Sequence, residues 1–131
     1  MTFYETEILR IKGLCFSNDK QLETVIAVKN FIDQNYDTDF SLDLLSHLRF
    51  TSKYHLLRLF KRYYGLTPKQ YLTIKRLEKS KEYLRQGMSV AEACYSVGYD
   101  TPSSFSTLFK SKIGLSPIQY KKEQLSQNNS Q

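Results

Sequence analysis

Residues 57–71 read LRLFKRYYGLTPKQY, and residues 106–120 read STLFKSKIGLSPIQY. When the chain is shifted by 49 residues, these two stretches are identical at eight of fifteen positions. A solenoid needs at least about three stacked repeats, so two copies indicate instead a small module that has been duplicated.

Polar caps and helix-ending glycines divide the chain around the repeat into short helices. The segment 53–64, for example, follows the capping residue Ser52 and stops at Gly65, which suits the end of a helix. We expect helices over 21–35, 42–48, 53–64, 68–86, 90–97 and 102–113, and a last one opened by Ser116-Pro117. Each copy of the module is then a short helix, a turn and a second helix, which is the helix-turn-helix pattern. An ordinary helical hairpin gives the same pattern.

The sequence therefore predicts an all-α fold. We expect two helix-turn-helix subdomains, each a homeodomain-like three-helix unit, joined by a long linker helix and preceded by a short N-terminal arm. The expected divisions are 1–22 for the arm, 23–67 for the first subdomain, 68–86 for the linker helix, 87–124 for the second subdomain and 125–131 for a disordered tail. The role of the arm stays open, since it suits either a short strand or a segment packed on the body.

The charge of the chain is unevenly distributed. Its 131 residues carry 19 basic and 13 acidic side chains, a net charge of +6. Residues 1–40 carry a net charge of −3, and residues 41–131 carry +9. A positive surface on the scale of a domain is typical of nucleic-acid binding. A solvated basic surface without a partner explains the same charge.

The second helix of the first module has two distinct faces. Its expected core stripe is Leu56, Leu59, Phe60 and Tyr63. The opposite face carries Lys53, Tyr54, Leu57, Arg58, Lys61 and Arg62. No acidic residue lies between Ser52 and Leu77. Since a solvated helix normally mixes charges of both signs, this face favours a phosphate partner.

The second helix of the second module is polar without being strongly charged. Its expected core stripe is Phe105, Leu108, Phe109 and Ile113, and the residues facing outward are Pro102, Ser103, Ser106, Thr107 and Lys110. Small hydroxyl side chains allow close approach to a DNA groove and bond to many base edges or phosphates. A polar solvent face is the alternative for this helix.

The predicted linker helix has a length that suits B-DNA. Nineteen helical residues span about 28 Å, and major grooves on one face of the duplex recur at about 34 Å. We expect the two second helices to enter adjacent major grooves.

Several other classes of protein do not fit the sequence. No apolar run is long enough to span a bilayer, and the N-terminus lacks the pattern of a secretory signal. Two cysteines, Cys15 and Cys94, do not form a disulfide framework, which favours a cytoplasmic protein. The histidines, His47 and His55, have no catalytic or zinc-ligand spacing, and there is no nucleotide-binding glycine motif. We expect no enzyme activity, metal or cofactor.

Four segments together resemble the DNA-binding domain of the AraC/XylS family of bacterial transcription regulators. They are SKYHLLRLFKRYYGLTPKQYL, the RLEKSKEYL that follows it, VAEACYSVGYDTPSSFSTLFK and GLSPIQYKK. The resemblance covers 23–124 and implies two helix-turn-helix subdomains that read double-stranded DNA. It assigns base reading to Lys53, Tyr54, Leu57, Arg58, Pro102, Ser103, Ser106 and Thr107. Contacts to phosphate are expected from Ser52, Lys61, Arg62, Lys110 and Lys112.

The resemblance is to the short, stand-alone members of the family. It implies a cytoplasmic, nucleoid-associated activator that acts as a monomer, has no small-molecule effector and also contacts RNA polymerase. Two alternatives stay open. One alternative to the stand-alone regulator is a helical protein-interaction module that uses Tyr54 and Leu57. The other is that the chain is the DNA-binding part of a longer, ligand-responsive regulator.

Overall fold

The computed structural model describes residues 2, 4–5, 19–48 and 51–129. Within these residues the secondary structure is entirely helical, which confirms the predicted fold class. The helices are α1 (Asp19–Asn35), α2 (Leu42–Leu48), α3 (Lys53–Tyr64), α4 (Pro68–Arg85), α5 (Val90–Ser96), α6 (Pro102–Ile113) and α7 (Pro117–Asn129).

Hydrogen bonds from helix N-termini to serine side chains explain why α2, α3 and α5 begin where the sequence predicted, whereas α1 begins two residues earlier than predicted, at Asp19. The Oγ atom of Ser41 accepts from the backbone N–H of Leu44 at 3.0 Å, and the Oγ atom of Ser52 accepts from that of His55 at 3.1 Å. Ser89 caps α5 in the same way. These bonds satisfy N–H groups that have no partner within the helix.

The largest difference from the predicted helices lies at the C-terminus. We expected a disordered tail over 125–131, but α7 continues to Asn129. A polar composition does not by itself end a helix, and this stretch contains neither glycine nor proline. Residues 130–131 lie outside the described part of the chain.

The chain forms two compact units. Unit 1 comprises the described residues up to Asn35 together with Phe40–Leu72, and unit 2 comprises Tyr36–Asp39 and the chain from Thr73 onward. The predicted linker helix is therefore shared, because the first turn of α4 belongs to unit 1 and the remainder belongs to unit 2. Unit 2 also includes Tyr36–Asp39, four residues that lie between α1 and α2 in the sequence.

Each unit has its own apolar core, and each core includes the buried stripe of one repeated helix. The core of unit 1 consists of Val25, Val28, Ile32, Leu45, Leu56, Leu59 and Phe60. The core of unit 2 consists of Leu77, Leu84, Ala93, Cys94, Val97, Phe105, Phe109 and Tyr120. Cys94 is fully buried, and burial raises the pKa of its thiol, as does the charge of Asp100. Cys94 thus fills a core position, while Cys15 lies outside the described residues.

Equivalent residues of the two repeat copies make the same contacts twice. In unit 1, the backbone N–H of Thr67 donates to Gln70 Oε1 at 2.9 Å, and the N–H of Gln70 donates to Thr67 Oγ1 at 3.2 Å. Ser116 and Gln119 form the same reciprocal pair at 3.1 and 3.2 Å in unit 2. These pairs are capping boxes, and they fix the turn that follows each repeated helix.

A repeated aromatic pair packs beside each capping box. The rings of Phe60 and Tyr71 meet edge to face with centroids 5.8 Å apart, and those of Phe109 and Tyr120 do so at 5.6 Å. The repeat is therefore a packing unit in which a phenylalanine of the second helix is held against a tyrosine of the next helix.

Within the described residues, no helix is both long and apolar enough to cross a membrane.

Candidate nucleic-acid interface

The first helix-turn-helix consists of α2 and α3 in unit 1. Leu56, Leu59 and Phe60 anchor α3 in the core, and Phe60 is fully buried. Gly65 ends the helix in the left-handed conformation at φ 78°, where its N–H donates to the carbonyl of Lys61 at 2.8 Å. Since both ends of α3 are capped and one side is buried, its other side is presented on a rigid support.

The exposed side of α3 carries the positive charge that the sequence predicted. Arg58, Lys61 and Arg62 are exposed, and the ring of Tyr54 is 71% exposed. Lys53 and Leu57 are partly exposed beside them. Neither Arg58 nor Lys61 forms an ion pair with any residue that the structure describes. Their charges are therefore free to bind an anion.

Some of the predicted contact residues of unit 1 have partners within the protein. The guanidinium of Arg62 lies 5.9 Å from the ring centre of Tyr63. The Nζ atom of Lys53 lies 3.5 Å from Asp43 Oδ1 and 5.5 Å from the ring centre of Tyr54. Asp43 is 74% exposed, so this surface ion pair is weak and exchanges readily for a phosphate. The Oγ atom of Ser52 caps α3, which leaves the hydroxyl proton of Ser52 as the group that can be donated.

The second helix-turn-helix consists of α5 and α6 in unit 2. Ser103, Thr107, Lys110 and Lys112 are exposed on α6, whereas Pro102 and Ser106 are partly exposed. Thr107 donates its hydroxyl proton to the carbonyl of Ser103 at 3.0 Å, so its oxygen remains available mainly as an acceptor. This face offers hydroxyl groups and a few cations, in contrast to the cationic face of α3.

Two residues of the predicted α6 stripe, Leu108 and Ile113, are only partly buried, although Ile113 still packs against the core. Phe105 and Phe109 are fully buried, but Leu108 is partly exposed and lines a shallow surface hollow with Ser103, Ser104, Thr107 and Ser111. Because α6 rests on two large phenylalanine rings, the core is filled without Leu108.

The turn of the second helix-turn-helix depends on Arg76, to which the sequence assigned no role. Arg76 is only 8% exposed. Its Nε donates to the carbonyl of Tyr36 at 2.6 Å and its Nη2 to the carbonyl of Thr38 at 3.1 Å. Its guanidinium also lies over the ring of Tyr99, 5.1 Å from the centre. Arg76 thus holds the 36–39 segment against the turn that leads into α6.

No local signal in the sequence reveals Arg76, because its partners lie about forty positions away. The sequence does mark the turn with Gly98, which directly follows the predicted helix over 90–97. Gly98 has φ +97°, and a Cβ atom added there would lie 2.9 Å from Arg76 Nη2 and 3.0 Å from the Asp37 carbonyl oxygen. A side chain at this position would collide with the buried guanidinium.

Within the described part of the chain, no group of three or more histidine, cysteine, aspartate or glutamate side chains is arranged to hold a metal ion.

Comparison with known proteins identifies the family. The model of a helix-turn-helix domain matches residues 46–123, which is more than half of the chain. The raffinose operon transcriptional regulatory protein RafR of Pediococcus pentosaceus is 33% identical over 79% of this chain and 38% of its own length. The chain spans less than half the length of the curated relatives it matches.

Solved structures show the same architecture. The C-terminal domain of AraT, a response regulator from Geobacillus stearothermophilus, is 31% identical with a TM-score of 0.73, and the match covers 76% of this chain and 84% of that domain. The DNA-binding domain of AdpA, solved in complex with a target DNA, shares the fold with a TM-score of 0.76 at 20% identity, over 82% of this chain and 97% of that one. The helix-turn-helix model covers more than half of the chain, and the AraT domain resembles the chain in both sequence and structure. The chain therefore belongs to the AraC-type family of helix-turn-helix transcriptional regulators.

Proposed function

We propose that this chain is a sequence-specific regulator of transcription that binds double-stranded DNA through α3 and α6. The observation that carries the proposal is the exposed face of α3, the second helix of a helix-turn-helix. This face carries Arg58, Lys61 and Arg62, and α3 contains no acidic residue. Membership of a family of transcriptional regulators supports the same function.

The two helices contribute differently to binding in this proposal. Arg58 reads bases, because a guanidinium bonds two acceptors of guanine at once in the major groove. Tyr54, Lys53 and Leu57 contact neighbouring base edges. On α6, the reading positions are Pro102, Ser103, Ser106 and Thr107. The phosphate contacts come from Ser52, Lys61, Arg62, Lys110 and Lys112.

In this proposal, a single chain places α3 and α6 in two adjacent major grooves. Two helix-turn-helix units in a single chain supply what a dimer of single-unit proteins supplies elsewhere. Action as a monomer, activation as the direction of regulation, RNA polymerase as a second partner, the absence of an effector and a nucleoid location stay predictions from the family resemblance.

Salt dependence tests the proposed function. We expect the chain to bind a random-sequence duplex at low salt, and its affinity to fall steeply between about 50 and 200 mM salt, as counterions are displaced by several cations. Lys61→Ala should reduce the slope of log affinity against log salt by about one unit. The control Lys122→Ala, an exposed lysine on α7 outside the proposed interface, should leave that slope unchanged. Fluorescence anisotropy of a labelled duplex measures both.

Failure to bind any duplex at low salt would contradict the proposal. The same assay separates it from the second candidate, a protein-interaction module. The exposed ring of Tyr54 on a basic helix also suits an acidic protein partner. Such a module would leave the duplex unbound, whereas a DNA-binding protein is competed from the labelled duplex by unlabelled DNA.

A further inference from the structure

Tyr4 and Glu5 lie on the C-terminal end of α3. The ring of Tyr4 stacks on the ring of Tyr64, the last residue of α3, with centroids 5.4 Å apart and planes 20° from parallel. The hydroxyl of Tyr64 donates to Glu5 Oε1 at 3.0 Å. Glu5 is only 4% exposed. A carboxylate buried in this way needs partners, since an unpaired charge in a protein interior is costly.

The partners of Glu5 come from two directions. The backbone N–H of Thr2 donates to Glu5 Oε2 at 3.1 Å, and the N–H of Glu5 donates to Thr2 Oγ1 at 3.1 Å. From α1, Lys29 Nζ lies 3.9 Å from Glu5 Oε1 and 2.9 Å from Asp33 Oδ2. Burial by itself raises the pKa of Glu5, but the bonds from Thr2 and Tyr64 and the charge of Lys29 lower it, and the net direction is down. Glu5 is therefore a charged acceptor.

The same contacts reach the first turn of α4. Tyr64 packs on Phe60 at 4.8 Å and on Tyr71 at 6.2 Å between ring centres. The hydroxyl of Tyr71 donates to Asp33 Oδ1 at 2.6 Å. Burial raises the pKa of both tyrosines, and so do their bonds to Glu5 and Asp33, so both phenols stay protonated as donors. The end of α3 is thus fixed by α1, α4 and the N-terminal residues at one point.

Among the residues that the structure describes, the second module shows no equivalent of this arrangement. The position that corresponds to Tyr64 in the repeat is Ile113, which has no hydroxyl to donate. The hydroxyl of Tyr120, which corresponds to Tyr71, accepts from Arg85 Nη1 at 2.8 Å instead of donating to a carboxylate. The N-terminal contacts are therefore specific to the unit whose recognition helix carries the cationic face.

We propose that Tyr4 and Glu5 are positioning residues for DNA recognition, which hold the C-terminal end of α3 so that Arg58 and its neighbours meet the bases in register. This inference rests on the proposed function. It gives Tyr4 and Glu5 a role in specific binding that acts through the position of α3.

The test compares specific with nonspecific binding in the full chain. We expect Glu5→Gln to bind a duplex selected by the wild type about tenfold more weakly, because a misplaced reading helix loses base contacts. Affinity for a random duplex should change less than twofold, since contacts to phosphate tolerate small displacements. Glu123→Gln on α7 is the control, because it removes the same charge from an exposed site. Measurements at a temperature where circular dichroism shows every variant folded remove the effect of stability.

A double-mutant comparison and hydrogen exchange test the contact between Glu5 and Tyr64 itself, and hydrogen exchange does so without DNA. Tyr64→Phe removes the hydroxyl that donates to Glu5, so Tyr64→Phe and Glu5→Gln together should weaken specific binding less than the product of their separate effects. Amide hydrogen exchange in the last turn of α3 should be faster in each variant than in the wild type.

The possible results separate the two proposals. Wild-type protein that binds no duplex overturns the proposed function and the positioning role with it. Wild-type protein that binds its selected duplex, with Glu5→Gln matching Glu123→Gln in both affinities, overturns the positioning role alone. Equal weakening of specific and random binding by Glu5→Gln also overturns it.

Discussion

Replacing Gly98 with alanine is expected to lower the free energy of unfolding of unit 2 by about 3 kcal/mol. The backbone there has φ +97°, a conformation that costs an alanine about 1–2 kcal/mol. The added methyl would also press on Arg76 Nη2 at 2.9 Å and on the Asp37 carbonyl oxygen at 3.0 Å. Because the guanidinium is buried and bonded to two carbonyls, moving it away from the methyl would disturb those bonds. Urea unfolding followed by circular dichroism measures the loss.

Gly87 provides a matched control for this substitution. It has the same φ of +97°, but no atom lies within 4 Å of an added Cβ. Gly87→Ala should therefore cost only the conformational penalty of about 1–2 kcal/mol. Both substitutions restrict the unfolded chain equally, so the difference between them isolates the contact with Arg76. If the two variants lost the same stability, the role of Arg76 in holding the turn would be wrong.

Replacing Arg58 with alanine is expected to weaken binding to the selected duplex by about 10- to 100-fold. That range corresponds to the loss of one bidentate contact with guanine, which discriminates by about 1–3 kcal/mol. Affinity for a random duplex should fall only slightly, because one charge among several is lost. Arg58 is exposed and makes no contact in the core, so the fold should be unaffected. Titrations of both duplexes at one salt concentration measure the ratio.

Lys110→Ala is the comparison for this prediction. Lys110 is exposed near the end of α6, and we assign it to phosphate. Its loss should weaken both duplexes by the same factor and leave their ratio unchanged. Equal effects of Arg58→Ala on the two duplexes would refute the assignment of Arg58 to base reading.

Much of the fold was predictable because its boundaries are marked by local chemistry. Helices α2, α3 and α6 have the predicted bounds, since Ser41 and Ser52 cap α2 and α3 and glycines end α3 and α6 in the left-handed conformation. A further boundary is marked in the sequence by a pair of polar residues. Thr67 and Gln70 have the spacing of a capping box, which explains why Gln70 is repeated as Gln119.

The remaining features depend on contacts between residues far apart in the chain. In the sequence, Arg76 looks like an ordinary cation of a long helix. Only the fold brings it to its hydrogen-bond partners, the carbonyls of Tyr36 and Thr38. Glu5 reads as an exposed acid of an N-terminal arm, yet it is buried against Tyr64, 59 positions later. Helical periodicity describes a single helix at a time, so it predicts neither the burial of Arg76 and Glu5 nor their hydrogen-bond partners. The exposed face of α3, by contrast, follows from periodicity alone.

Selection of bound sequences from a random duplex pool tests the central claim most directly. We predict that the full chain, bound as a single copy, enriches a site with two blocks of fixed bases whose centres lie about 10 base pairs apart, one block for α3 and one for α6. In a repeat with Arg58→Ala, the block read by α3 should lose its guanine preference while the other block persists. A pool that binds the protein but acquires no preferred sequence, or that acquires a single short block, would contradict the account.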